Sequence, residues 1–120
     1  MSDIYSSLVM DVAHDKILSR HPLIGRRVLN LTLIELAKNP NADKATLIKV
    51  VKNDCTGTYG GEIVQVLSEI LWDVVIQATV SIVVSEILNW WHKIHPDKTV
   101  ELATMLQDLS TEAQADLAKC

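Results

Sequence analysis

Phenylalanine is absent from this sequence, and its 120 residues include only four glycines, three prolines and two cysteines. Each shortage excludes something. Cys55 and Cys120 cannot build the disulfide framework of a small secreted fold, so a reduced, cytoplasmic setting is the expectation. Few glycines and prolines leave few places for tight turns, which disfavours a meander of short strands. With three Trp, two Tyr and no Phe, the core must come from Leu, Ile and Val. The start MSDIYSSLVMDVAHDKI lacks a cationic segment followed by a continuous apolar one, so it does not read as a secretory signal. Concentrated basic charge is missing too. Residues 1–61 balance at +2 and residues 62–120 at −6, giving a net charge of −4. Neither half has the clustered Lys and Arg of a nucleic-acid footprint. The uneven split suits a polar surface that orients a charged protein partner.

What the chain does have is WDVVIQATVSIVVSEILNWW, residues 72–91, the centre of an apolar stretch from Glu62 to Lys93. Its Trp residues lie about 27 Å apart along a helix, like the aromatic belts of a membrane span. Yet the longest uncharged run, Val74 to Ser85, is twelve residues, a length typical of buried helices. Any longer span must carry Glu86 near its middle at about 2.5–3.5 kcal/mol. A membrane is therefore not expected as a partner. Two β-strands would suit the Val and Ile content, but IQATVS offers no turn residue.

Polar residues decide for a helix. Glu62, Gln65, Glu69, Asp73, Gln77, Ser81, Ser85 and Asn89 recur every three or four positions, a stripe that only helical spacing produces. Steps of four residues advance about 40° past a full turn, so the stripe winds around the helix. That winding predicts a central helix covered by different neighbours at its two ends, either continuous or broken near Ala78.

Around it the pattern predicts further helices over 3–19, 23–38 and 43–52, the last capped by Asp43. A flexible loop is expected at 53–61 (NDCTGTYGG). A fifth helix from about Thr99 should bury Val100, Ala103, Leu106 and Leu109. A sixth should open at the capping box Thr111-Glu-Ala-Gln114. The expected fold is one all-α domain over 1–120, a compact bundle of five or six helices around the largely buried 62–93 helix.

No catalytic constellation emerges. His92 and His95 with Asp97 could contribute to a metal site, but zinc requires three or four ligands and the spacing is not a strong motif. The helix end, where the dipole favours cations, explains them equally well. Asp11, His14 and Asp15 share one helical face. The glycines of GTYGGE lack the Lys-Ser/Thr of a phosphate-binding loop. No metal or other cofactor is therefore expected. The sequence points instead to a non-catalytic protein–protein interaction module, an adaptor, inhibitor or immunity-type protein. The expected contact residues are Trp90, Tyr59, Arg26, Arg27 and Glu86, with self-association through the 62–93 helix as a subordinate expectation. The rival is a small-ligand- or metal-binding helical protein or enzyme using His92 and His95.

Overall fold

Helix formation in the first segment stops where an aspartate takes over the backbone. The computed structural model describes residues 3–58, 69–94 and 100–119, with side chains over 4–53, 73–89 and 103–118. Helix α1, Asp3–His14, buries Ile4, Tyr5, Leu8 and Val12. It ends five residues short of the expected boundary because Asp15 Oδ2 accepts the backbone N–H groups of Ile17 and Leu18 at 2.9 and 3.1 Å. These bonds start a 3-10 turn, Leu18–Arg20. Leu18 then faces the core, while Ile17, expected inside, is exposed.

Pro22 opens helix α2, Pro22–Lys38. Proline suits a first helical position, since the N–H it lacks would have had no partner there. One turn on, Gly25 lets α2 pass close to α1 and the 3-10 turn. A Cβ at this position would lie 3.0 Å from Val12 Cγ1 and 3.5 Å from Leu18 Cβ. At the other end, Gln107 Nε2 donates to the Ala37 carbonyl at 3.1 Å, satisfying one of the acceptors a helix end leaves open.

Helix α3, Lys44–Thr58, is capped as predicted. Asp43 Oδ1 accepts the Thr46 N–H at 2.7 Å, which holds the Asp43 carboxyl below its ordinary range. The helix continues through residues 53–58, so the expected loop is helical there. Residues 59–61 lie outside the described residues. Helix α4, Glu69–Ile94, is continuous through Ala78, and helix α5, Val100–Lys119, is a single helix. The predicted break at Thr111 is absent, and its hydroxyl, rather than capping a new helix, donates to the Gln107 carbonyl at 3.0 Å within the continuous one.

Among the described residues there are five α-helices and no strands. One cluster of buried side chains draws on all five. Helix α2 packs against each of the other four, whereas α4 packs mainly on α1, α2 and α3. Among the described residues, then, α2 is the hub. Its buried set Val28, Leu29, Asn30, Leu31, Thr32 and Leu33 is an unbroken run, which goes right round the helix. Over the described side chains of α4 the buried set keeps to one side while the polar stripe winds. Between Asp73 and Asn89 the helix buries Val75, Ile76, Thr79, Val80, Val83 and Ile87, which at about 100° per residue occupy one fixed arc of roughly 140°. The polar stripe runs diagonally across the opposite, outer side.

Candidate functional site

Three places outside the apolar core combine chemistry with geometry. The first is a polar chain joining α1, α2 and α5. Tyr5 Oη donates to Asn30 Oδ1 at 2.7 Å, and Asn30 Nδ2 donates to Asp116 Oδ2 at 2.7 Å. Arg26 completes it with a two-pronged contact, Nε to Oδ2 at 2.8 Å and Nη2 to Oδ1 at 3.0 Å. Burial, then the charge of Asp116, pushes the Tyr5 hydroxyl up to about 12. Burial works to raise Asp116 as well, but the hydrogen bonds from Arg26 and Asn30 outweigh it and hold the carboxyl below its usual range. The hydrogen bond to Asp116 likewise raises Arg26. Tyr5 and Asn30 are almost wholly enclosed. With every atom named here engaged within the chain, the network is a strap between helices.

The second place is an open cleft of about 390 Å³ between α1 and α4, lined by Asp11, His14, Asp15, Ser81, Ile82, Ser85 and Glu86. Asp11 projects from α1, Asp15 follows the last residue of that helix, and Glu86 reaches across from α4. Partial burial first, and the charge of Asp11 second, raise the Glu86 carboxyl above its ordinary value. Asp11 Oδ2 is shielded from solvent without a hydrogen-bond partner. His14 Nδ1–H donates to the Met10 carbonyl at 2.9 Å. Among the described residues, no group of three or more His, Cys, Asp or Glu is placed to hold a metal ion.

The third place is the outer side of α4. Val74 and Leu88 are exposed there, and Ala78, Ile82 and Val84 are partly buried beside them. The polar residues of this side, Gln77, Ser81, Ser85 and Asn89, carry no charge. At the edges, Asp73 pairs with Lys52 at 2.7 Å and Glu86 turns to the cleft. At the Leu88 end a small apolar pocket of about 80 Å³ opens between Leu36, Pro40, Ala42, Val84, Ile87, Leu88 and Leu106. A solvent-facing helix side normally carries charged residues, whereas this one runs for about four turns without a charge and with two exposed aliphatics among its residues.

Comparison with known proteins adds no relative.

No family model, no curated protein and no solved structure matches this chain. None of the described helices is long and apolar enough to cross a membrane.

Of the residues expected from sequence to meet a partner, Arg26 sits in the strap, Arg27 is half-buried on α2, and Glu86 lines the cleft. The three are not brought together. Tyr59 and His95 lie outside the described residues, as do the side chains of Trp90 and His92, whose backbones belong to α4. Sequence reasoning missed Val74 and Leu88 because both looked like core residues of an enclosed helix. The signal in the sequence is the absence of charge over 74–85.

Proposed function

We propose that this chain is a non-catalytic protein–protein interaction module, of the adaptor, inhibitor or immunity type, whose contact face is the outer side of α4. The observation that carries the reading is the pairing of exposed Val74 and Leu88 with a helix side free of charge between them. Water gains little from uncharged Ser and Gln side chains. Covering the aliphatic groups returns roughly 25 cal/mol for each Å² removed from water. Met10 and Leu23 are also exposed, at 58% and 72%, but stand singly beside charged neighbours, as surface residues commonly do. With only two cysteines in 120 residues, a cytoplasmic setting suits such a module.

The test is photo-cross-linking in native lysate, with a benzophenone amino acid placed at Leu88 or, as control, at Met10. A discrete protein adduct from position 88 and none from position 10 is the expected result. Equal labelling at both, or no adduct at 88, removes the reading.

A further inference from the structure

We propose that the outer side of α4 receives a basic amphipathic helix of a partner protein, with an Arg or Lys side chain in the cleft beside Asp11 and Glu86 and an aliphatic side chain in the pocket beside Leu88. The proposal rests on the reading that this side is a contact face, and it states the chemistry of what covers it.

The cleft and the pocket flank one ridge. Ser81 and Ser85 border the cleft, while Val84, Ile87 and Leu88 border the pocket. At about 100° per residue, Ser81, Ser85 and Leu88 fall within an arc of about 60°, so a narrow strip of α4 separates the two openings. They stand roughly 10 Å apart, one helix width, which a helix laid across α4 spans in two turns. Amphipathic helices dock on apolar surfaces through anchors at such spacings.

Charge selects the occupant. Three carboxylates line the cleft, those of Asp11, Asp15 and Glu86, and no Lys or Arg lines it. Asp15 is already engaged, accepting the N–H groups of Ile17 and Leu18. Asp11 is not, since its Oδ2 is closed off from solvent with no hydrogen-bond partner among the described residues. A shielded oxygen in that state costs free energy until a donor reaches it. Glu86 faces it from the other wall, raised above its ordinary value by partial burial first and by the charge of Asp11 second. A cation seated between the walls offsets that repulsion.

The form of the cation follows from the same residues. Among the described residues the carboxylates are not grouped to hold a metal ion. A guanidinium or ammonium on a long stem needs no such enclosure, and Ile82 in the cleft suits the aliphatic part of the stem. An anionic membrane surface brings like charge to these carboxylates, and so does a second copy of a chain carrying −4.

A phage-displayed library of helices, randomised on the surface and selected on the purified wild type, tests the proposal. Selected helices should carry Arg or Lys about two turns from an aliphatic residue, and Leu88→Asp should abolish their binding. The Asp11→Asn, Glu86→Gln double variant should weaken the same helices by about tenfold or more. A fresh selection on that variant should lose the basic residue. Thermal melts at or above the wild-type midpoint confirm that the double variant folds. Independently of any variant, raising salt from about 50 to 500 mM should weaken wild-type binding. Helices that depend on Leu88 but carry no basic residue, or that ignore the double variant and salt, overturn the basic partner and leave the contact face standing. Wild-type dimers in sedimentation that Leu88→Asp abolishes would put a second copy there and overturn the proposal. Helices indifferent to Leu88→Asp overturn both readings. A selection that yields no helix overturns this proposal, and the position-88 adduct then decides the contact face alone.

Discussion

Helices α2 and α4 divide the work of the fold in the opposite way to their compositions. Over Pro22–Lys38, α2 buries nine of 17 residues, including Gly25, Asn30 and Thr32. Over the 17 residues Asp73–Asn89, richer in Val and Ile, α4 buries six. Burial follows position in the packing more than apolar content. A hub can enclose polar groups if each is satisfied, and Asn30 is held by Tyr5 and Asp116 while Thr32 Oγ1 donates to the Val28 carbonyl at 2.7 Å. An outer helix with more aliphatic residues than its neighbours can cover must show the excess to solvent.

The sharpest way to break this contrast is a matched truncation. Leu33→Ala in α2 empties a fully buried position and should cost about 3 kcal/mol. Leu88→Ala in α4 should cost less than about 0.5 kcal/mol in dilute protein. Urea unfolding at low micromolar concentration measures both, and equal losses would erase the distinction.

Tyr5→Phe comes next, because it leaves the enclosed Asn30 Oδ1 without its donor, at about 1–2 kcal/mol. It should also change the alkaline limb. With the folded hydroxyl at about 12 and the unfolded one near 10, the unfolded chain releases its proton first. The wild type therefore loses stability as pH rises from about 10 to 12, and the loss should shrink in Tyr5→Phe. An unchanged alkaline limb would remove Tyr5 from the account.

In acid the sign reverses. Asp116 is held below its ordinary value, so its contribution is complete above about pH 4 and disappears as pH falls through the folded pKa. Asp116→Asn should be less stable at neutral pH and flatter in acid titration. A parallel titration would show that the strap does not link α5 to the hub electrostatically.

The smallest effect concerns the cleft on α4. Glu86 is raised, so the folded chain binds that proton more tightly, and stability declines as pH rises through the folded pKa. Glu86→Gln should slightly stabilise the neutral-pH protein, with the difference vanishing below about pH 4. A loss at neutral pH would mean that Asp11 and Glu86 do not oppose one another.

Much of this architecture was legible because helical periodicity is repetitive and local. The stripe through Asp73, Gln77, Ser81, Ser85 and Asn89 identified α4 as a helix, and Asp43 marked the start of α3. Boundaries that depend on contacts distant in sequence were not legible. The weak helix formers Asn53 to Thr58 suggested a loop, but each costs under about 1 kcal/mol, and extending an existing helix adds a backbone hydrogen bond with each residue. Thr111 carried a capping pattern, yet Leu109, Ser110 and Ala113 around it are buried in a continuous α5. The hub could not be read either, since Asp116 lies 90 positions beyond Arg26 and 86 beyond Asn30.

That separation bears on how the chain comes off the ribosome. Helix α2 emerges early, but the carboxylate that completes its polar strap is still unmade. At about 5–20 residues per second, synthesis of the 90 residues after Arg26 takes on the order of ten seconds. Throughout that interval the nascent hub must shelter Arg26 and Asn30 with water or a chaperone, and closure of the bundle waits for α5 to emerge.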